Sequence, residues 1–214
     1  MIDIAVVDYG MGNLRSVSKA LEHVAPNKKV VVTSDPQHIL DAKRVVFPGQ
    51  GAMPDCMREL ESLGLRNAIV KSAASKPFLG ICIGLQLLFE HSEEGDANGL
   101  GILSGNVNRF AAEAMHDVEG NKLKVPHMGW NQLYQKQAHP IWKDIPDGER
   151  FYYVHSYYVK PDDATLVAGV TEYPVQFAGA IAYKNIFAVQ FHPEKSQHAG
   201  LQLLSNFVRW DGKY

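Results

Sequence analysis

Two kinds of hydrophobic pattern alternate along the first half of the chain. Short apolar runs predict buried strands, and they lie at residues 2–7, 30–33, 45–47 and 78–82. Between these runs, apolar residues recur at helical spacing, and these segments predict helices at residues 14–24, 36–40, 54–72 and 85–91. The repeated strand–helix–strand order predicts a parallel sheet with helices on both of its faces.

The second half has a different pattern. Residues 99–188 are rich in Val, Phe, Tyr, Gly and Pro and show no long helical period, which predicts antiparallel strands and turns. Residues 187–192 predict one more strand, and residues 196–210 predict a closing helix. Residues 111–121 are expected to form a mobile loop or a surface hairpin. We therefore expect an α/β fold with a mostly parallel sheet flanked by helices and antiparallel additions in the second half.

Composition narrows the class of protein. The chain has 214 residues, 46% hydrophobic and 21% charged, which is typical of a globular protein and allows one domain over residues 1–214. The net charge of -2 shows no basic excess, so we expect no nucleic-acid partner. Asp3 and Asp8 interrupt the first apolar run, and no apolar stretch is long enough to span a bilayer. We expect no signal peptide, no membrane association and a cytoplasmic location, where Cys56 and Cys82 would be free thiols.

The strongest chemical signal is the sequence Gly-Ile-Cys-Ile-Gly at residues 80–84, between a predicted strand and a predicted helix. This arrangement matches the nucleophile elbow, with Cys82 in the place of serine. The glycines permit a sharp turn, and the start of the following helix favours a thiolate at Cys82. The alternative is a small structural cysteine at this position.

A second signal is the sequence Gln-Phe-His-Pro-Glu at residues 190–194. Pro193 ends the predicted strand, so His192 lies at its carboxyl end, and Glu194 is close enough in sequence to orient the imidazole. By itself the run would be an exposed turn, and a single histidine is more often structural. Together with an elbow cysteine in a parallel sheet, Cys82, His192 and Glu194 predict a nucleophile, a base and an orienting carboxylate.

A third signal is the sequence Pro-Gly-Gln-Gly at residues 48–51, directly after the third predicted strand. Such a loop can turn a backbone N–H toward a bound carbonyl group. With the elbow, it predicts an oxyanion hole formed by the backbone N–H groups of Gln50 and Ile83. The alternative is a plain Pro-Gly turn.

With these three motifs, the chain resembles class I (triad-type) glutamine amidotransferases over residues 3–210. The resemblance implies a flavodoxin-like fold, L-glutamine as substrate, and a Cys82–His192–Glu194 triad that releases glutamate and ammonia through a thioester. The sequence contains no phosphate-binding glycine loop and no cofactor motif, so no cofactor is expected. The resemblance also implies substrate-binding positions around glutamine, namely Gly51, Gln86, His155, Ser156 and Tyr157.

Three further strings, at residues 8–14, 126–131 and 153–157, resemble members of this family that serve as the glutaminase subunit of a synthase. The resemblance implies a heterodimer with a cyclase subunit that has a (β/α)8 barrel and uses the ammonia. It places toward this partner the residues Asn13, Trp130, Tyr152 and Lys195. The alternatives are that the aromatic residues belong to the core, or that the chain serves another synthase.

Other functional classes fit the sequence less well. Gly10 and Gly12 suggest a dinucleotide site, but Arg15 stands where the third glycine is needed. The nine histidines show no metal-binding spacing, so no metal site is expected. A non-catalytic or chaperone-like module with the same cysteine elbow, or a cysteine peptidase, remains the main rival. Hydrolysis of free glutamine would discriminate against both.

Overall fold

The structure is a computed structural model that describes residues 1–111, 115 and 123–213. The expected loop at residues 111–121 lies largely outside the described residues. The predicted strands of the first half are present in chain order: β1 (Ile4–Val7), β2 (Val30–Thr33), β3 (Arg44–Gly49) and β4 (Phe78–Cys82).

The helices are α1 (Leu14–Val24), α2 (Pro36–Asp41), α3 (Met53–Ser62), α4 (Arg66–Ala73), α5 (Ile83–Gln86) and α6 (Gln197–Arg209). Two of them begin at side-chain caps that satisfy free backbone N–H groups. The side chain of Asn13 accepts a hydrogen bond from the Ser16 N–H, and that of Asp35 accepts one from the Gln37 N–H.

Two predicted helices differ from the structure. The helix predicted over residues 54–72 is two helices, α3 and α4, because Gly64 has a φ of 67° that ends a right-handed helix. The helix predicted over residues 85–91 begins earlier, at Ile83, and ends at Gln86. The Leu88 and Phe89 N–H groups bond the carbonyls three residues before them, so the helix tightens into a turn there.

The second half contains strands, as predicted. They are β5 (His91–Ser92), β6 (Ala97–Asn98), β7 (Gly105–Arg109), β8 (His127–Gln135), β9 (Glu149–His155), β10 (Tyr157–Pro161), β11 (Val167–Glu172), β12 (Gln176–Tyr183) and β13 (Ile186–Val189). Strand β13 is shorter than the predicted run of residues 187–192. The chain bends at Gln190 and Phe191.

Within the described residues, the strands form a nine-stranded sheet in the order β2-β1-β3-β4-β13-β12-β11-β8-β9 and a four-stranded sheet in the order β10-β7-β5-β6. The large sheet is parallel from β2 to β13 and antiparallel from β13 to β9. The expected α/β class with antiparallel additions is confirmed. This order brings the carboxyl ends of β3, β4 and β13 to one edge of the sheet.

The core lies on both faces of the parallel strands. Strands β1, β4 and β13 consist entirely of buried residues, because helices cover both sides of this part of the sheet. Phe47 packs between the rings of Tyr9 and Phe78, with centroids 5.6 and 5.9 Å away. Among the described residues, no helix is both long and apolar enough to cross a membrane.

Candidate active site

Cys82 lies at a sharp turn between β4 and α5. Its backbone has φ 55° and ψ −109°, a conformation that residues other than glycine rarely adopt. A Cβ on Gly84 would overlap the Phe47 carbonyl oxygen, and a Cβ on Gly80 would come within 3.0 Å of the Ala188 Cβ. The two glycines of the motif therefore allow the turn to pack against β3 and β13.

His192 lies three residues after the end of β13, and its backbone is held by neighbouring elements. Its N–H donates to the Tyr152 carbonyl at 2.9 Å. The Ser196 hydroxyl donates to the His192 carbonyl at 2.7 Å and accepts from the Tyr152 N–H at 3.0 Å. Strand β9 and the start of α6 therefore fix the histidine at the sheet edge. No sequence signal pointed to Ser196, because a serine before a helix is usually a cap.

The side chain of His192 forms a buried ion pair with Glu194. Its Nδ1 lies 2.9 Å from Glu194 Oε1, and the two side chains are 5% and 1% exposed. Burial alone would lower the pKa of His192, but Cys82 and then Glu194 outweigh it and raise this pKa to about 10. The His192 Nε2 atom is buried without a hydrogen-bond partner among the described residues. The raised pKa keeps His192 protonated at neutral pH.

Cys82 and His192 line a cavity of about 340 Å³. Its walls include all five residues expected around glutamine, namely Gly51, Gln86, His155, Ser156 and Tyr157. They also include both residues of the expected oxyanion hole, Gln50 and Ile83, and one residue expected to face the partner, Lys195. Three lining residues were not expected from the sequence, namely Glu94, Pro126 and Val154. The volume suits a ligand of amino-acid size.

Two buried glutamines connect the cavity wall to the thiol. Gln190 Nε2 donates to Cys82 Sγ at 3.7 Å, and Gln86 Nε2 donates to Gln190 Oε1 at 3.2 Å and to the Tyr157 carbonyl at 3.1 Å. Gln86 Oε1 is buried and has no hydrogen-bond partner among the described residues. Gln190 was missed as a site residue. Its place on the same strand face as His192 was the available signal.

His155 belongs to a chain of neutral hydrogen bonds. Its Nδ1 donates to the Tyr157 carbonyl at 2.8 Å, and its Nε2 accepts from His127 Nδ1 at 2.9 Å. Asn131 Nδ2 lies 3.2 Å from His127 Nε2 and donates to it, so the proton of His127 is on Nδ1. Burial lowers the pKa of His155 to about 3 and that of His127 to about 4. Both nitrogens of His155 are engaged, so it forms part of the wall rather than a second base.

The expected oxyanion loop follows β3 and lies against the first residues of α3. The Cys56 thiol donates to the Gln50 carbonyl across 3.7 Å. Gly51 has a φ of 107°, and a Cβ there would come within 2.7 Å of Met11 Cε. The loop is thus packed from two sides.

The residues expected to face a partner come from four separate segments of the chain. Trp130 and Tyr152 are paired across β8 and β9, with ring centroids 6.1 Å apart, and Trp130 is 44% exposed. Lys195 lines the cavity. Asn13 caps α1. Their contact with a partner remains a prediction.

Comparison with known proteins agrees with this fold. The model of the family "Glutamine amidotransferase class-I" matches residues 5–210. A solved glutamine amidotransferase aligns with a TM-score of 0.70 at 16% identity, covering 96% of this chain and 99% of its own. Solved PurLQS from Thermotoga maritima aligns with a TM-score of 0.67 at 19% identity, covering 98% of this chain and 99% of its own. These two likenesses concern the fold alone. The chain belongs to the class I glutamine amidotransferase family.

Curated relatives define its place within that family. "Imidazole glycerol phosphate synthase subunit HisH" of Thiobacillus denitrificans is 68% identical over 98% of this chain and 92% of its own length. The protein of the same name from Aromatoleum aromaticum is 64% identical over 98% and 99%. The chain belongs to this HisH family.

Proposed function

We propose that the chain is the glutaminase subunit of an imidazole glycerol phosphate synthase and acts in histidine biosynthesis. It hydrolyses glutamine to glutamate and ammonia and passes the ammonia to a cyclase subunit. The observation that carries the proposal is the buried His192–Glu194 pair, 2.9 Å apart, at the same cavity edge as the elbow thiol of Cys82. The names of the relatives support the choice of synthase.

The first half-reaction forms a thioester. The Cys82 thiolate attacks the carboxamide carbon of glutamine, and the carbonyl oxygen becomes an oxyanion that the Gln50 and Ile83 backbone N–H groups stabilise. The His192 imidazolium then donates its proton to the leaving nitrogen, which departs as ammonia. Gln190, at 3.7 Å from the sulfur, stabilises the thiolate before attack. Glu194 stabilises the imidazolium and holds the ring in place.

The second half-reaction releases glutamate. His192 is now neutral and accepts a proton from water, which attacks the thioester carbon. The tetrahedral intermediate collapses, the carbon–sulfur bond breaks, and the thiolate and imidazolium return. The glutamine backbone is held by the cavity wall, where Gln86 Oε1 accepts a hydrogen bond from the substrate.

The partner is a cyclase subunit with a (β/α)8 barrel, and it docks on the face that carries Trp130. Ammonia released into water at neutral pH would become ammonium, which is not a nucleophile. Productive transfer therefore needs a docked, water-excluding interface. The chain works as a single domain in a cytoplasmic heterodimer and requires no cofactor.

The test is a glutaminase assay that measures glutamate formation by the chain alone, with the cyclase subunit, and with the cyclase subunit plus its nucleotide substrate. We expect slow hydrolysis alone and a large increase in the full complex, because a misaligned oxyanion donor typically costs ~10²–10³-fold in rate. The control is Cys82→Ala, which should abolish hydrolysis. Full hydrolysis by the isolated chain, unchanged by partner and nucleotide, would instead indicate a free-standing amidase. No hydrolysis in any mixture would favour a non-catalytic module.

A further inference from the structure

A buried pair of side chains, Tyr9 and Cys56, lies beneath the loop that follows β3. Both residues are fully buried. The Cys56 thiol donates to the Gln50 carbonyl, with 3.7 Å between sulfur and oxygen. The Tyr9 hydroxyl lies directly under Gly49, where a Cβ would overlap it. The two side chains, one from just after β1 and one from α3, support consecutive residues of the loop.

Both side chains of this pair keep their protons at neutral pH and can therefore donate hydrogen bonds. Burial raises the pKa of Cys56 to about 11, so the thiol keeps its proton at neutral pH. Burial and the neighbouring Cys56 raise the pKa of Tyr9 well above its usual value. The Tyr9 hydroxyl forms no hydrogen bond to nitrogen or oxygen among the described residues, and the side chains that act on it are Cys56 and, more weakly, Cys82. Neither residue takes part in the proposed chemistry.

The other side of the loop is also covered. The Cβ that Gly51 lacks would come within 2.7 Å of Met11 Cε, and that of Gly12 within 3.5 Å of the Gly49 Cα. The loop is therefore enclosed between α3 and the segment that follows β1.

The carbonyl contact restricts how the loop can rotate. The C=O and N–H groups of a trans peptide point in opposite directions. Holding the Gln50 carbonyl toward Cys56 therefore fixes the peptide between Gln50 and Gly51. The peptide between Gly49 and Gln50, which carries the N–H expected at the oxyanion, lies between this held carbonyl and a Gly49 that rests on the Tyr9 hydroxyl, so its rotation is limited from both ends.

We infer that Cys56, with Tyr9 beside it, is a positioning residue for the oxyanion N–H of Gln50. Neither Cys56 nor Tyr9 is among the described residues that line the cavity, so the pair acts through the loop and not on glutamine. The inference rests on the proposed function, because the oxyanion matters only if Cys82 forms a thioester.

The test compares Cys56→Ala with the unmodified chain, both in complex with the cyclase subunit and its nucleotide substrate. The variant removes the thiol donor and leaves the cavity wall unchanged. We expect kcat for glutamine hydrolysis to fall about fivefold and KM to change less than twofold, the pattern of an interaction made in the transition state. The rate of Cys82 alkylation by iodoacetamide, which needs a thiolate and no oxyanion hole, should stay within twofold.

Three controls separate positioning from packing. Cys56→Ser keeps a donor and should recover most of kcat. Leu60→Ala empties another fully buried position of α3, so it should lower the free energy of unfolding at least as much as Cys56→Ala while kcat stays within twofold. Tyr9→Phe in the Cys56→Ala background should add less than a twofold loss, because the two side chains act through one contact.

The outcomes are distinct. An unchanged kcat in Cys56→Ala, with an active unmodified complex, overturns the inference and leaves the proposed function standing. Equal kcat losses in Cys56→Ala, Cys56→Ser and Leu60→Ala also overturn it, since they indicate packing alone. An unmodified complex that does not hydrolyse glutamine overturns both.

Discussion

At the scale of single residues, Cys82 combines two requirements that oppose each other. Its φ of 55° raises the sulfur above the sheet edge, yet this conformation costs of order 1–3 kcal/mol for a residue with a side chain. The strain is maintained because the flanking glycines let the turn pack tightly against β3 and β13. The nucleophile thus occupies a position where glycine would be more stable.

We expect Cys82→Gly to have a higher free energy of unfolding than Cys82→Ala, by about 1 kcal/mol, although glycine usually destabilises a protein relative to alanine. Both variants lack the thiol and should be inactive. Urea denaturation of the two proteins measures the difference. An alanine variant that is the more stable of the two would show that the elbow carries no strain.

Glu194 stabilises the imidazolium of His192, so its removal should change the pH dependence of turnover. Against the effect of burial, Cys82 and Glu194 together raise the pKa of His192 to about 10. In Glu194→Gln this pKa falls, and the loss of activity on the alkaline side should begin at lower pH. We also expect Glu194→Gln to lower kcat less than His192→Ala does.

The double variant of Glu194→Gln and His192→Ala should be little worse than His192→Ala alone, because residues that act as one unit are not additive. A pH–rate profile of each protein provides the measurement. Additive losses, or an alkaline limb that does not move, would argue for an independent role of Glu194.

Sequence motifs located the residues that carry chemistry and missed those that support them. Cys82 lies in a glycine motif and His192 in a motif that ends at a proline, and the structure brings both to one cavity, with Glu194 paired to His192. Their catalytic roles remain predictions. Ser196 and the contact below Gln50 had no motif, and Gln190 stood in a motif but was assigned no role, because a buried polar residue is identified only by the neighbours that satisfy it.

At the scale of elements, strand β8 presents an apolar outer face. Its outward side chains include three large ones that are 62%, 44% and 41% exposed: Met128, Trp130 and Tyr134. Its inward residue His127 belongs to the hydrogen-bonded chain that reaches the cavity wall at His155. One strand therefore connects the proposed partner face with the proposed substrate site.

Trp130→Ala should weaken binding of the cyclase subunit by about 30-fold, the loss typical of an aromatic anchor at an interface. The isolated chain should keep its fold, because Trp130 is only half-buried. Titration calorimetry with the cyclase subunit measures the affinity, and circular dichroism checks the fold. The matched control is Val32→Ala, since Val32 is 39% exposed on the opposite edge of the large sheet. If the two variants bind the cyclase subunit with equal affinity, β8 is not part of the interface.

Periodicity predicted most helices and strands of the first half, and its errors have local causes. The helix at residues 54–72 is broken because Gly64 takes a left-handed conformation that the apolar spacing does not reveal. The helix at residues 85–91 is short because the chain tightens into turns after Gln86. Strands of two residues, such as β5 and β6, are too short for any pattern.

At the scale of the whole molecule, three buried neutral histidines make the fold sensitive to acid. Burial lowers the pKa of His127 and of His139 to about 4, and that of His155 to about 3. In the unfolded chain each would titrate near 6.5. Below about pH 6.5 the unfolded chain binds protons at these histidines and the folded chain does not. The stability that the folded protein has above pH 6.5 is therefore lost as pH falls toward 4.

We expect the free energy of unfolding to decrease between pH 6.5 and 4, with a contribution of up to about 1.4 kcal/mol per pH unit from each buried histidine. His139→Asn keeps an acceptor for the Ile141 N–H and removes one titrating group. Its unfolding free energy should therefore change less steeply with pH. Urea denaturation at pH 6.5, 5.5 and 4.5 measures both slopes. If the unfolding free energies of the two proteins change equally with pH, His139 does not have the lowered pKa assigned to it.

The sheet order could not be predicted from local patterns. The strand–helix alternation indicated parallel pairing of β1 to β4, and the structure confirms it. The insertion of β13 between β4 and β12 joins segments far apart in sequence, and no periodicity of either segment specifies that pairing.

This insertion has a consequence for synthesis on the ribosome. One edge of β4 stays unpaired until residues 83–185 have been made and β13 leaves the exit tunnel. An apolar strand edge exposed for so long can pair with other nascent chains, so we expect the emerging polypeptide to aggregate more readily before β13 is made. His192 lies three residues after β13, so the histidine joins the elbow cysteine only when the sheet closes. A ribosome that stops early therefore releases a chain that wastes no glutamine.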